Sequence, residues 1–217
     1  MKVPSPIHAP AHVTQAGIRT LVIMTLAATF ACAPAANDGS SASGDDLDEE
    51  SDSSLTTLEG RVSLGPVEEA LVSFYKLEED GSRGALLDEV TTSADGLFTA
   101  EIPSDSGPIE VVAVGGSYEE EASGESVVRE PTQELRSITE SVTGLDEISV
   151  TPLTEFATDR AKALQEQGLT IEDAAKLANT EIAAAAGVEN ILAAPADPRI
   201  ASGQSTDEAR NKYTVVL

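Results

Sequence analysis

The sequence predicts a mainly β fold, a sandwich followed by a small α-helical segment, behind a leader and a disordered acidic tether. Three observations predict it. Across residues 56–150, short runs of alternating apolar residues recur at close spacing between Gly, Pro, Asp and Ser turns. From Thr151 onward the apolar period becomes helical. Ahead of Leu55 lies a polar, acidic stretch that buries too little apolar surface to offset its ordering entropy.

Residues 1–31 read as a signal peptide. Lys2 and Arg19 are the only charges before Cys32, and residues 21–31 are apolar but for Thr25 and Thr29. That run is about half of the ~20 residues that a membrane-crossing helix needs. A basic flank, a short apolar run and small residues define a secretory signal. A buried core helix would need a fold around it, and polar linker follows instead. The chain's single cysteine, Cys32, comes directly after the run, so no intrachain disulfide can form. This arrangement resembles a bacterial lipoprotein signal, in which the cysteine after the cut is lipidated. Ala31 fits that pattern, while Thr29 and Phe30 stand where it favours Leu and a small residue. The resemblance implies lipidation at Cys32 and anchoring at the cell envelope, at the outer membrane or cell surface. The alternative is ordinary secretion, with cleavage at an Ala-x-Ala-like site such as Ala33-Pro34-Ala35 and loss of Cys32.

Residues 32–55 form the tether, with seven acidic and no basic residues between Ala33 and Ser54. Like charges keep such a segment extended. The whole chain carries 13 basic and 38 acidic residues, a formal charge of −25; a chain beginning at Cys32 would have 11 basic residues and a charge of −27. A surface of that sign repels DNA, RNA and anionic headgroups, so nucleic acid is excluded as a partner.

The sandwich occupies residues 56–150, about 95 residues and enough for one core. In "ALVSFYKL", Ala70, Val72 and Phe74 face one way and Leu71, Ser73 and Tyr75 the other. "EEDGSRG" is a turn, "ALLDEVTT" a strand and "SADG" a second turn. "LFTAEI" follows with Phe98, Ala100 and Ile102 on one face. After the break at "SDSGP", "IEVVAVGG" sets Ile109, Val111 and Ala113 opposite Glu110, Val112 and Val114. "ESVVRE", "ELRSIT" and "EISV" are weaker strand candidates.

Residues 58–115 resemble the carboxypeptidase regulatory-like module, a transthyretin-like or immunoglobulin-like sandwich. The resemblance rests on Gly60 and Val62 in a first strand, on "GPVEEALVSFY" leading into the second, and on "TTSADGLFTAEIP" as hairpin and fourth strand. It implies a module that accompanies another activity and is not itself an enzyme.

Residues 151–217 read as helical. Thr151 caps a helix with Pro152 at its first position. Leu153, Phe156, Ala157, Arg160 and Leu164 trace its face, and Gly168 ends it. Thr170 caps a second helix, with Asp173 completing a variant capping box. Its face is Ile171, Ala174, Ala175, Ala178, Ile182 and Ala185, and Gly187 stops it. This segment resembles the alanine-rich helical part that follows similar sandwiches in bacterial envelope lipoproteins. A last helix starts with Ser205 or Thr206 as cap and carries Ala209, Tyr213 and Val216 at helical spacing. Its apolar pattern is still running at Leu217, which reads either as a shortened version of a longer chain or as a short helix that frays at its end.

Chemistry-bearing motifs are sparse. The only histidines, His8 and His12, lie in the leader. A mature chain therefore has no Ser-His-Asp triad, no histidine general base and no histidine zinc ligand. No Gly-rich phosphate loop occurs. "SFYK" (Ser73 to Lys76) matches the Ser-x-x-Lys of penicillin-binding proteins. That chemistry needs the pair one helical turn apart, and a strand sends them to opposite faces. The acidic strings "DDLDEESD" and "YEEE" lack calcium-loop spacing. Lys–Asn crosslinks of the kind found in surface sandwiches have no asparagine to use between Asn37 and Asn179. Tyr75 and Tyr118 are the only tyrosines for a sugar platform.

The expectation is a non-enzymatic envelope lipoprotein, anchored to the membrane through lipid on Cys32, with a structural role or an unidentified envelope partner. It has no catalytic residues, no cofactor and no metal. The competing expectation is a secreted enzyme, or an accessory fragment of one, that uses carboxylates alone.

Overall fold

Alternation along the strands sets the inner layer of the fold. In the computed structural model, which describes residues 54–120, 123–197, 199 and 207–217, the strands are β1 (Leu55–Arg61), β2 (Leu71–Leu77), β3 (Arg83–Thr91), β4 (Leu97–Pro103), β5 (Ile109–Val114), β6 (Ser117–Glu119), β7 (Ser126–Val128) and β8 (Leu135–Thr139). One sheet has the order β3-β2-β5-β8, antiparallel throughout. A second pairs β1 with β4, and β6 pairs with β7 as a small hairpin. The "EISV" segment makes parallel bridges from Glu147 to Glu59 of β1 and from Val150 to Val62 just after it, with the Ile148 amide donating to the Glu59 carbonyl at 2.8 Å. The β6–β7 hairpin runs through "SYE", where the sequence offered only a charge run.

Val72, Phe74, Ile109, Val111 and Ala113 meet Leu58, Phe98, Ala100, Ile102 and Ile148 between the two sheets. The inward phases expected for β2 and β4 are those observed. Phe74 and Phe98 touch edge to face, with centroids 5.8 Å apart at 72°. Gly60 pairs with Phe98 across β1 and β4. A Cβ there would collide with the Phe98 ring and the Ile148 carbonyl, so this close approach requires glycine.

The other face of the four-stranded sheet is buried too. Leu77 and Ile138 join the apolar faces of α1 (Pro152–Glu166) and α2 (Ile171–Ala186) in a second core. Thr151 caps α1 as expected. Its hydroxyl accepts from the Thr154 amide at 3.3 Å, and the Thr154 hydroxyl accepts from the Thr151 amide at 2.8 Å. The buried face of α1 is Thr154, Ala157, Thr158, Ala161 and Leu164. This corrects the sequence-based face: Phe156 is 60% exposed and Arg160 points to Glu181 of α2. The reason is distance. Small residues let α1 approach β8, where the Thr154 hydroxyl donates to the Arg136 carbonyl at 2.8 Å, and a phenylalanine there would hold it off. Thr170 and Gly187 cap α2 as expected, with Gly187 in the left-handed region at φ 71°. Ala185 is exposed.

A third helix, α3 (Glu208–Val216), is capped by Asp207; Ser205 and Thr206 lie outside the described residues. Tyr213 is buried, while Ala209 and Val216 are exposed. The Tyr213 hydroxyl donates to the Ile191 carbonyl at 2.9 Å and lies 2.7 Å from the Thr151 hydroxyl. Burial raises its pKa above the ordinary tyrosine value. The sheet carries a core on each face, and Glu49–Leu217 forms one compact unit.

Glu110 of β5 holds α1 to the sheet. Its side chain is 1% exposed and pairs with Arg83 of β3 and, at 3.1 Å, with Lys162 of α1; Arg136 of β8 lies 3.9 Å away. Arg83 also grips Glu134 through two hydrogen bonds of 2.9 and 2.7 Å, and Arg136 grips Glu155 and Asp159. These bonds, Glu134 first for Arg83 and Glu155 first for Arg136, raise both guanidinium pKa values. Desolvating a carboxylate costs several kcal/mol, which converging cations offset.

Two predictions follow from these contacts. Phe98→Ala should cost ~3–5 kcal/mol, lost transfer energy plus a cavity. Urea unfolding measures it, and a loss below about 1 kcal/mol, the range of a surface change, would contradict the packing. Glu110→Gln should cost ~1.5–3 kcal/mol, the worth of hydrogen bonds to a charged group. Lys162→Met should cost less than about 1 kcal/mol, because Lys162 is partly solvated and Arg83 still pairs Glu110. The reverse ranking would show that Glu110 does not organise this contact.

Candidate functional site

The residues singled out in the sequence do not converge. Cys32, the leader and the "DDLDEESD" string lie outside the described residues. Ser73 and Lys76 stand on β2, where Ser73 is buried and donates to a Glu89 carboxylate oxygen at 3.0 Å while Lys76 is exposed. "EEDG" and "SADG" are turns, closed by the Gly81 amide on the Glu78 carbonyl at 2.8 Å and the Gly96 amide on the Ser93 carbonyl at 2.9 Å. Among the described residues no group of three or more His, Cys, Asp or Glu is placed to hold a metal. Tyr75 lies under the Arg83 guanidinium at 5.5 Å, and the half-buried Tyr118 packs against the first core.

A different residue, Arg61, stands out. Leu58 and Gly60 of β1 face the core, so alternation turns Glu59 and Arg61 to the opposite side. Residues 191–197, after α2, and the start of α3 close over that side. The Ser149 amide donates to the Leu192 carbonyl at 2.8 Å, and Arg210 of α3 donates to the Ala194 carbonyl at 3.0 Å. Arg61 is left 8% exposed, and its Nε and Nη1 have no hydrogen-bond partner. It is the only charged side chain with such nitrogens among the described residues.

The carboxylates around Arg61 are taken by other arginines. Asp197 approaches Arg61 only to 4.0 Å. It accepts instead from Arg199, at 3.0 Å from Nε and 2.7 Å from Nη2, and from the Arg199 amide at 2.9 Å. Arg199 also reaches Asp95 at 2.6 Å. Glu147 is clamped by both terminal nitrogens of Arg210, at 3.0 and 2.8 Å. Desolvation consequently lowers the Arg61 pKa, with Asp197 offsetting part of the fall. The Arg199 hydrogen bond holds Asp197 below the usual carboxylate range, and the Glu147 bond raises Arg210.

Beside Arg61 lies a cavity of about 360 Å³, walled by Glu59, Leu97, Glu147, residues 194–197, Arg210 and Asn211. Among the described residues its lining holds no histidine, serine or cysteine. Arg61 contributes a fixed charge to this wall, while its Nε and Nη1 are closed off inside the protein. One weak signal along the chain marks this residue: Arg61 is the first basic residue after Arg19. Nothing local marks Asp197 or Arg210 as its surroundings.

No protein-family model matches the chain, and no curated protein matches it. Among solved structures, a DUF3823 family protein from Parabacteroides merdae ATCC 43184 is 17% identical with a TM-score of 0.29, over 46% of each chain. A 9R-lipoxygenase from Cyanothece PCC8801 is 10% identical with a TM-score of 0.30, over 52% of this chain and 23% of that one. The dioxygenase domain of a dioxygenase carbohydrate-binding protein fusion from Streptomyces sp. SirexAA-E is 19% identical with a TM-score of 0.22, over 41% and 60%. The chain thus spans less than half the length of the DUF3823 structure, and at these values none of the three assigns it a family or a function.

The Asp197 pairing has a pH signature. Its folded pKa is depressed, so the stability it contributes is present above its unfolded value of ~3.9 and is lost as pH falls through the folded value. Thermal unfolding should therefore be steady from about pH 7 to 5 and decline below about pH 4. Asp197→Asn should be less stable at neutral pH and decline less steeply in acid. Superimposable pH profiles for the two proteins would rule the pairing out as a contributor.

Proposed function

We propose that this protein is a non-enzymatic lipoprotein of the bacterial cell envelope, a membrane-tethered sandwich with a structural or partner-binding role. The observation that carries the reading is the uncharged run of residues 21–31 ending at the chain's single cysteine, followed by an acidic tether. Physical chemistry adds a requirement. The mature chain, at −27, gains nothing from anionic headgroups. A single acyl chain binds membranes only marginally, so the anchor on Cys32 must carry more than one. The 22 residues from Ala33 to Ser54 span at most about 70–80 Å when extended, and their charge holds the sandwich away from the lipid surface.

The sandwich is of the carboxypeptidase regulatory-like kind, a reading supported by Gly60 in its first strand and by the strand and turn phases that follow. A binding role is supported by the cavity of about 360 Å³ beside Arg61, whose described lining holds no histidine, serine or cysteine. Catalysis by carboxylates alone draws no support from the two acidic clusters described: Glu134, Glu155 and Asp159 near Glu110, and Glu147 and Asp197 near Arg61, are held by arginines. The partner belongs to the envelope; nucleic acid is excluded by charge.

Cys32→Ala tests the anchor. Fractionation of cells should move the protein from the membrane pellet to the soluble fraction, and fatty-acid labelling should disappear. Unchanged membrane partitioning in the variant would overturn the proposal.

A further inference from the structure

We propose that the outer face of the α1–α2 pair is a contact with a second copy of this chain. In it, α1 of one copy packs on α2 of the other about a two-fold axis that runs along the seam between the helices. The inference stands on the helix pair and not on the lipid anchor.

An apolar surface that the fold leaves open comes first. Each helix turns its buried face to the sheet and to the other helix. Phe156, Arg160 and Ala163 recur on the outer side of α1 at i, i+4 and i+7. Leu177, Glu181 and Ala184 recur at the same spacing on α2. Phe156 is 60% exposed and Leu177 40%, while Ala184 is exposed and Ala163 half-buried. Single exposed apolar residues are ordinary on a protein surface. Here two large ones share one face of a helical hairpin, and Phe156 belongs to the stripe that the sequence marks for packing.

The register of the two helices gives that face a pattern. The short connection, residues 167–170, makes α1 and α2 antiparallel neighbours. Arg160 Nε donates to Glu181 Oε2 at 2.6 Å, so these two residues are level with each other. One turn toward the start of α1, Phe156 is therefore level with Ala184. One turn the other way, Ala163 is level with Leu177. The face is a checkerboard, with large beside small, cation beside anion and small beside large.

Such a pattern complements itself. A two-fold contact presents the same surface from both copies. With the axis along the seam, Phe156 meets the small Ala184 of the second copy, Arg160 meets its Glu181 and Ala163 meets its Leu177. An axis across the helices would set Arg160 on Arg160 and Glu181 on Glu181, which like-charge repulsion disfavours. The charges thus select one axis. Each copy carries −25 overall, a repulsion screened beyond ~8 Å at 0.15 M salt. A face three side chains long on each helix buries little area, so the dimer is a weak one. A lipid surface is the competing occupant for Phe156 and Leu177, and the ion pair at the centre of the face opposes it because charges resist leaving water.

Sedimentation equilibrium of the full-length chain at 0.15 M salt tests the contact, with Cys32→Ala so that neither lipid nor thiol contributes. A reversible monomer–dimer equilibrium is expected. Phe156→Glu, Arg160→Glu and Glu181→Arg should each weaken it roughly tenfold or more, since each places a charge against an apolar or like-charged group. The decisive arm mixes Arg160→Glu with Glu181→Arg. Across this two-fold the mixture restores opposite charges at both crossings, so the two variants should form a heterodimer although neither associates strongly alone. Mixing does not repair the mismatched pair within each chain, so an effect on folding alone cannot give that result. Circular dichroism checks that these exposed substitutions leave the fold intact. A chain monomeric up to about 1 mM, association unaffected by Phe156→Glu, growth beyond a dimer, or a mixture that fails to recover association would each overturn the proposal. Monomers that cosediment with phosphatidylcholine vesicles would also overturn it and assign the face to lipid. Every variant lacks Cys32, so failure here leaves the anchor intact as a proposal, and failure of the anchor leaves this surface.

Discussion

Burial of the Glu110 carboxylate beneath α1 is the constraint on which the rest of the architecture depends. With 1% of its side chain exposed, its desolvation is offset only by cations at close range. Arg83 comes from the edge strand β3, Arg136 from β8 and Lys162 from α1. Those groups converge in one arrangement of helix and sheet, so the pairing fixes the height and rotation of α1. That placement then covers Leu77 and Ile138, which would otherwise face water on the outer side of the sheet. The sandwich is therefore three layers deep at β5, with an apolar core on each side.

The placement of α1 governs what lies beyond it. Its cap, Thr151, is buried and touches the Tyr213 hydroxyl, which also reaches the Ile191 carbonyl. This junction joins the start of α1, the segment after α2 and the middle of α3. Together with the Arg210–Glu147 clamp, it brings residues 191–197 and α3 over the outward side of β1. The Arg61 cavity is a product of that closure. A strand residue that alternation alone would leave in solvent becomes enclosed, and its guanidinium is desolvated.

Charge is allocated unevenly. Acidic residues outnumber basic ones by 38 to 13, yet most arginines of the folded part are committed across elements. Arg83, Arg136, Arg160, Arg199 and Arg210 hold carboxylates, and Arg129 donates to the Gly115 and Gln133 carbonyls beside the β6–β7 hairpin. Most of the remaining described carboxylates lie exposed on the surface. Against that background Arg61 is the exception, a cation with acid nearby and no hydrogen bond from its Nε or Nη1.

The sequence by itself determined whatever depends on neighbours in the chain. Period-two alternation placed Val72, Phe74, Phe98, Ala100 and Ile102 in the core, because side-chain direction in a strand is a local property. The Thr151, Thr170 and Gly187 caps were legible because capping satisfies backbone groups within one turn. Tertiary structure decided the rest. Glu110 reads as an outward polar residue until a helix covers it with cations from three distant elements. The hydrophobic pattern favoured the bulk of Phe156 for the buried face of α1, but close approach to β8 selected Thr154, Ala157 and Ala161. Arg61 keeps Asp197 only at 4.0 Å because Arg199 and Arg210, well over a hundred residues further along the chain, hold the neighbouring carboxylates more closely. Which charges meet is set by distances in space, and the spacing of residues along the chain does not encode them.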